Sequence, residues 1–237
     1  MNVFCYNEIK IYNSIFEYID SNMYIMVEDS EALIVDPHKN DEVFKLLKNN
    51  NVKKISILLT HEHADHISGI RWLQENFKSI LICSKSCAEY ISVKKNIGYL
   101  LIGYILDEQD KKNGTNLSDK FNKDFVLNTY KADVVFEKEY QLKWKTHNLK
   151  FYAVLGHSEG SCIIIFDGKI VFAGDSLLKK FPVITRFPGG NKQKYIQETL
   201  PFLEKILSSK MQILPGHGTP FVLEEIMKAG KINVAFR

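Results

Sequence analysis

The sequence predicts an α/β protein in which sheets are covered by helices, and three observations point that way. Short apolar runs recur along the chain, segments with helical spacing of apolar residues lie between them, and the two types alternate. The chain is also long enough for a full core. Its 237 residues, 45% hydrophobic and 25% charged, can bury one without disulfide or metal staples. Any bound metal is therefore expected to serve chemistry and not folding.

Along the chain, Tyr24–Val27 and Ala32–Val35 read as buried strands, followed by a helix over Asp41–Leu47. Ile55–Leu59 is a third strand. Ile67, Ile70, Leu73 and Phe77 recur at three- and four-residue spacing, which predicts one helix over 67–77. Ile80–Cys83, Phe151–Leu155, Cys162–Phe166, Ile170–Ala173 and Met211–Leu214 complete the strands. Tyr195, Leu200, Leu203 and Leu207 mark a further helix, and Glu224–Lys228 a last one.

Two stretches break the rhythm. Lys94 to Lys131 is polar, rich in Lys, Asn and Asp, and carries the turn signal Asn113-Gly114. It reads as an inserted, cap-like segment with some helix of its own, lying over one end of the core. Phe181 to Gly190 holds Pro182, Pro188 and a Gly-Gly pair, and reads as an ordered loop. With no Ser/Gly-rich linker and no fixed-period repeat, residues 1–237 are expected to form a single domain.

Charge and cysteine content narrow the function classes. Net charge is +3 from 31 basic and 28 acidic residues, too balanced for a nucleic-acid footprint. Lys179, Lys180, Lys192 and Lys194 form the one basic concentration near the motifs below, and read as solvated surface. The start lacks the apolar region of a signal peptide, and no apolar run reaches membrane-spanning length. The four cysteines, Cys5, Cys83, Cys87 and Cys162, show no CxxC spacing. A cytoplasmic enzyme with reduced thiols is expected, with Cys83 and Cys87 as packing residues.

The chemistry is signalled by where histidine and aspartate fall. Ile55–Leu59 leads through Thr60 into His61, and Phe151–Leu155 into Gly156-His157. Ile170–Ala173 leads into Gly174-Asp175, and Met211–Leu214 into Pro215-Gly216-His217. Four strands thus each deliver a metal-competent side chain just past their C-terminal ends, where open α/β sheets place ligands. A common sheet edge is the expected meeting point. His61-Glu62-His63-Ala64-Asp65-His66 is the densest segment, with three imidazoles and the Asp65 carboxylate suited to a borderline cation. Ala64 and Gly69 are expected to leave room for backbone near the metals. His61-Glu62 does not open an HExxH zincin motif, because the fifth position is Asp65.

Five of the seven histidines lie in these places. A packing origin accounts for one such histidine more easily than for five. Of the other two, His147 reads as surface, whereas His38, following Asp36-Pro37, is a candidate to line the site.

Thr60-His61-Glu62-His63-Ala64-Asp65-His66, Gly156-His157-Ser158-x-Gly160-Ser161, Phe172-Ala173-Gly174-Asp175-Ser176-Leu177 and Pro215-Gly216-His217-Gly218-Thr219 together resemble the metallo-β-lactamase superfamily, in its order. Within it, they resemble the short glyoxalase II-like (hydroxyacylglutathione hydrolase-like) branch. The resemblance implies a four-layer αβ/βα sandwich. It also implies a first metal held by His61, His63 and His157, a second by Asp65, His66 and His217, and Asp175 bridging both. Asp36 matches the family's Asp-Pro turn, which supports the metal loop without ligating. Zinc is the expected metal for both sites, with iron or manganese as alternatives.

The implied reaction is hydrolysis of a small thioester or ester by a metal-bridging hydroxide, with Asp65 and Asp175 as the catalytic carboxylates. Two departures point away from glutathione thioesters. Val183-Ile184 occupies the place of the branch's Gly-Arg element, with Arg186 two residues later, and residue 237 follows soon after His217. An iron-dependent sulfur dioxygenase is the rival expectation, weakened by the missing Gly-Arg, and a lactonase is another. The partner is a small molecule, with neither nucleic acid nor membrane expected and no indication of oligomeric state.

Overall fold

The computed structural model describes residues 1–6, 9–93, 99–124 and 128–236. One sheet is built from β1 (Asn2–Tyr6), β2 (Ile9–Ile15), β3 (Asn22–Glu28), β4 (Glu31–Val35), β5 (Lys54–Leu58), β6 (Lys78–Ser84) and β7 (Val134–Phe136), in that spatial order. The first four pair antiparallel and the rest add in parallel. Parallel neighbours need crossover connections. These are α1 (Asp41–Asn49), the pair α2 (Ala64–Ile67) and α3 (Ile70–Asn76), and α4 (Lys85–Ile91) with α5 (Tyr99–Asn113) and α6 (Leu117–Asp124).

The second sheet contains β8 (Glu139–Trp144), β9 (His147–Ala153), β10 (Cys162–Phe166), β11 (Ile170–Gly174), β12 (Gln212–Pro215) and β13 (Phe221–Val222), ordered 13-12-11-10-9-8. Only β11 and β12 run parallel in it. Their connection carries α7 (Lys192–Lys194), a π-helical turn over Tyr195–Thr199, and α8 (Leu200–Ile206). A short hairpin of β14 (Met227–Lys228) and β15 (Lys231–Ile232) follows.

Alternation along the strands separates the core into layers. Leu33 and Val35 of β4 meet Ile164 and Phe166 of β10 and Phe172 of β11 between the two sheets. Ala32 and Ile34 face the opposite way, toward Val43, Ile67, Ile70 and Leu73 of the helices. Ile163, Ile165, Val171 and Ile213 turn outward toward Leu203 and Leu207. Strands buried on both faces read as continuous apolar runs, which is why the sequence marked them. The result is helix, sheet, sheet, helix, the four-layer sandwich that the resemblance implies.

The structure corrects several expectations. The β1–β2 hairpin and the edge strands β7 and β8 are not among the expected strands: β7 is only three residues long, β8 alternates with exposed Glu139, Gln141 and Lys143, and in the hairpin polar residues such as Lys10, Asn13 and Ser14 interrupt the apolar ones. The helix expected over 67–77 is broken at Ser68-Gly69, where the loop after β4 crosses it. Gly69 N–H donates to Pro37 O at 2.7 Å, and a Cβ on Gly69 would lie 2.7 Å from the His38 backbone. Gly69 therefore makes room for that loop and not for metal. Glu224–Lys228 is a 3₁₀ turn (Leu223–Ile226) running into β14, not an α-helix.

Within the 94–131 stretch, residues 94–98 and 125–127 lie outside the described residues. Its helices α5 and α6 turn at Gly114, and Ile102, Leu106 and Phe121 are buried in the same layer as Tyr18 and Ile67. Cys83 and Cys87 are buried and free, as packing residues should be. No helix among the described residues is long and apolar enough to cross a membrane.

Candidate metal centre

The site residues lie at strand ends or in the turn that follows β5, and the rings of His61, His66 and His157 are each oriented by a neighbour. Past β5, Thr60 is anchored to Asp36: its N–H donates to Asp36 Oδ1 at 2.8 Å and its hydroxyl to Oδ2 at 2.6 Å. The Thr60 hydroxyl oxygen also lies 3.0 Å from His61 Nδ1. His63 precedes α2, whose single turn carries Asp65 and His66. Asp36, in a left-handed conformation (φ 53°), reaches His66 Nδ1 at 3.0 Å with Oδ2. His157 donates from Nδ1 to Ile184 O at 2.8 Å, which leaves Nε2 as the ring's lone-pair nitrogen.

These side chains converge. His61, His63 and His157 each offer a ligand atom within 4.8 Å of the others, and so do Asp65, His66 and His217. His63 Nδ1 and His157 Nε2 are 3.0 Å apart. Asp65 Oδ2 lies 3.0 Å from His66 Nε2 and 3.3 Å from His217 Nε2. Asp175 stands between the groups, with Oδ2 3.6 Å from both His157 Nε2 and His217 Nε2 and Oδ1 3.7 Å from His66 Nε2. All seven predicted ligands thus meet. They do so at the adjoining ends of two stacked sheets and not along one sheet edge: β5 belongs to the first sheet, and β9, β11 and β12 to the second.

The donor set fits a metal pair. Among the described residues, His61 Nε2, His66 Nε2 and Asp175 Oδ1 are buried yet find no partner with hydrogen-bond geometry. Buried polar atoms left unpaired are costly unless something else engages them. Tetrahedral ligands at zinc distances stand about 3.3 Å apart, close to the 3.0–3.7 Å separations above. Asp36, His61 and His66 also lie within 4.8 Å of one another. Both Asp36 oxygens already accept hydrogen bonds, so Asp36 acts as an orienting partner of the kind metal-binding histidines use.

Electrostatics divides the two groups. Burial, reinforced by neighbouring imidazoles, keeps His61 well below its ordinary pKa and brings His63 down to about 3; burial also lowers His157. Neutral imidazoles are the metal-binding form. Burial opposes charge on His66 and His217 as well, but the Asp65 carboxylate beside both, with Asp36 at His66 and Asp175 at His217, outweighs it and raises them. Asp65 and Asp175 are correspondingly held ionised, against burial, by these histidines.

Sequence reasoning missed the residues that hold the two sheet ends together. Asn22 of β3 donates from Nδ2 to Pro215 O at 3.0 Å and to Gly218 O at 2.8 Å, bracketing His217, and its backbone N–H donates to Gly216 O at 2.7 Å. Tyr24 adds a hydrogen bond to Pro215 O at 2.8 Å. No local signal marks Asn22, since its partners lie nearly two hundred residues away. Glu62, buried and pushed up in pKa mainly by that burial, accepts a hydrogen bond from Ser158 at 3.0 Å.

The two remaining histidines lie apart. His38 is buried against Phe16, lies 2.9 Å from the Ser14 hydroxyl, and is pushed down to about 3, chiefly by burial. It borders a cavity of about 540 Å³ that includes none of the clustered ligands. His147 is not simple surface: it opens β9 half-buried, between Asp167 at 2.6 Å and Glu28 at 3.2 Å. A second cavity, about 380 Å³, opens onto His63, Asp65, Asp175 and His217. Ile184 lines it, whereas Arg186 is exposed and outside the lining.

Comparison with known proteins agrees with this architecture. The family model of the Metallo-beta-lactamase superfamily matches residues 19–203. A protein of Streptococcus pyogenes serotype M6 named "Probable metallo-hydrolase" is 25% identical over 213 residues, covering 88% of this chain and 84% of that protein. The "Hydroxyacylglutathione hydrolase" of Haemophilus ducreyi is 36% identical over 74 residues, 31% of this chain and 32% of that protein. Among solved structures, BLEG-1 B3 metallo-beta-lactamase superposes with a TM-score of 0.70 at 21% identity, over 91% of this chain and 95% of that one. TTHA1623 in a di-iron-bound form gives 0.64 at 18% identity, over 90% and 96%. At such identities the structural likeness concerns the fold.

Proposed function

The chain belongs to the metallo-β-lactamase superfamily, and on that premise we propose that it is a dinuclear metallo-hydrolase of small thioesters or esters. One observation carries the reading: two three-ligand groups, with the Asp175 carboxylate within 3.6–3.7 Å of members of both. In this reading His61, His63 and His157 hold one ion, Asp65, His66 and His217 hold the other, and Asp175 serves both. Zinc suits the nitrogen-rich donor set best, with iron or manganese as alternatives. Partial similarity to hydroxyacylglutathione hydrolases supports the thioester preference.

When bound, the metals supply a nucleophilic water near neutral pH and Lewis-acid polarisation of the substrate carbonyl. The chain's own residues do the rest. Thr60, Asp36 and Ile184 O fix the rings of His61, His66 and His157 through their other nitrogens, so each of these three presents one chosen atom to the site. Asp65, kept ionised, is the carboxylate that orients the attacking water or takes its hydrogen bond. A thiolate, with a parent pKa of about 8.5, departs without a proton donor, which favours thioesters over amides. Helix α5 acts as a cap, because its Ile102, Ile105 and Gln109 border the cavity that reaches the metal ligands.

Metal analysis of the purified protein, paired with a panel of thioesters, esters and lactones, tests this. Two equivalents of metal per chain and thioester turnover that is lost with Asp175→Ala are expected. Metal-free protein with undiminished turnover, or Asp175→Ala protein retaining two equivalents and full rate, overturns the proposal. One iron per chain with oxygen consumption on a persulfide overturns it in favour of a dioxygenase.

A further inference from the structure

We propose that the cavity selects an uncharged, apolar acyl group, seated between α5 and the loop that follows Asp175. The proposal rests on the hydrolase reading for which half of the substrate enters, and on the cavity itself for the chemistry of that half. Ile102 and Ile105, three residues apart and so on one face of α5, form one wall. Leu178, Phe181, Ile184 and Phe187 form the other.

The apolar surface begins at the ligands themselves. The Phe187 ring lies 6.0 Å from that of His63. The Phe181 ring packs over Gly218, where an added Cβ would come within 3.2 Å of it, one residue past His217. Phe181 is 49% exposed, a large apolar side chain left partly in water at the cavity mouth. A ligand covering it would remove that exposure. A carbonyl directed toward His63 and His217 therefore has its carbon chain directed along isoleucine and phenylalanine side chains.

The polar groups of the lining oppose an anionic acyl tail. Asp20 contributes a carboxylate and Gln109 a neutral amide, and among the described residues no lysine or arginine lines the cavity. Away from the metal ligands, the far carboxylate of a dicarboxylic acyl group would face Asp20 with no lysine or arginine of the lining beside it. An aliphatic or aryl acyl chain would bury both itself and the walls, in a volume of about 380 Å³ that lies within the range of small-molecule sites.

The test separates binding from turnover. Thioether ketones, in which a methylene between sulfur and carbonyl removes the scissile bond, are titrated calorimetrically into the metal-loaded protein. Acetyl, butyryl and hexanoyl forms and a carboxylate-terminated succinyl form are compared. Affinity should rise about fourfold per methylene buried, with the succinyl form at least tenfold weaker than butyryl. Phe181→Ala and Ile105→Lys, at exposed and half-buried positions, should each weaken hexanoyl binding about tenfold, and Ile105→Lys should improve succinyl binding. Affinity independent of chain length, or variants that leave the ranking unchanged, overturns the proposal. Chain-length-dependent binding with no hydrolysis of any thioester or ester upholds the acyl site and instead removes the hydrolase reading.

Discussion

Oδ2 of Asp36 lies 3.0 Å from Nδ1 of His66, so the proposed metal ligand is held by a carboxylate that the same turn also ties to Thr60. Asp36→Ala leaves His66 and Thr60 with buried, unpartnered groups. Loss of such an orienting partner typically weakens metal binding 10–100-fold. Competition titration with a chromophoric chelator should find that loss in one equivalent of zinc and little change in the other. Unchanged affinity for both would remove Asp36 from the orienting role.

Gly216 is constrained by contact with the site. A Cβ there would lie 2.1 Å from Asp175 Oδ1 and 2.9 Å from His66 Cε1. Gly216→Ala should displace Asp175, at an overpacking cost of about 1–3 kcal/mol. The expected result is a folded protein, by circular dichroism, with at least about a hundredfold less activity and reduced metal content. A variant with normal metal and rate would mean that the turn yields freely.

Asn22 couples the sheets across the site. Asn22→Ala removes its hydrogen bonds to Pro215 O and Gly218 O and the one it accepts from Asn13 at 3.0 Å. Pro215 O keeps the Tyr24 hydroxyl, so the loss falls on Gly218 O and the Asn13 amide; an unsatisfied buried group costs about 1–3 kcal/mol, or several degrees of melting temperature in a chain of this size. Scanning calorimetry measures the shift. Zinc retention should fall as well, because the turn holding His217 loses its bracket; a stability loss with intact metal binding would assign Asn22 to folding alone.

Asp110 provides the pH test. Burial works against its charge, yet hydrogen bonds from the Thr115 hydroxyl, the Leu117 and Ser118 N–H groups and the Ser118 hydroxyl hold its carboxyl well below the usual range. A carboxyl lowered on folding stabilises the native state above its unfolded pKa of about 4, and that contribution fades as pH falls toward the folded value. Asp110→Asn should therefore lower the melting temperature most at pH 6–7, and the gap from wild type should close toward pH 2. A gap that stays constant with pH would mean that the hydrogen bonds do not discriminate between the charged and neutral forms.

By itself, the amino-acid order determined the layered α/β architecture and the residues available for metal chemistry. Strands such as Ile163-Ile164-Ile165 are buried on both faces, so their apolar character is local and visible, and His61 to His66 are close in sequence. The edge strand β7 escaped notice because it is only three residues long, and β8 because alternate positions face water. The break at Gly69 escaped because its cause, the His38 backbone, arrives from another part of the chain. Only the tertiary structure decided that the ligand-bearing strand ends come from two sheets, that Asn22 clamps the His217 turn, and that Ile184 O orients His157. It also brought α5 against the loop after Asp175 to wall the cavity. The physical reason is range. Periodicity and spacing encode what a residue does within its own segment, whereas a hydrogen bond between distant carbonyls and amides exists only once packing has brought the segments together.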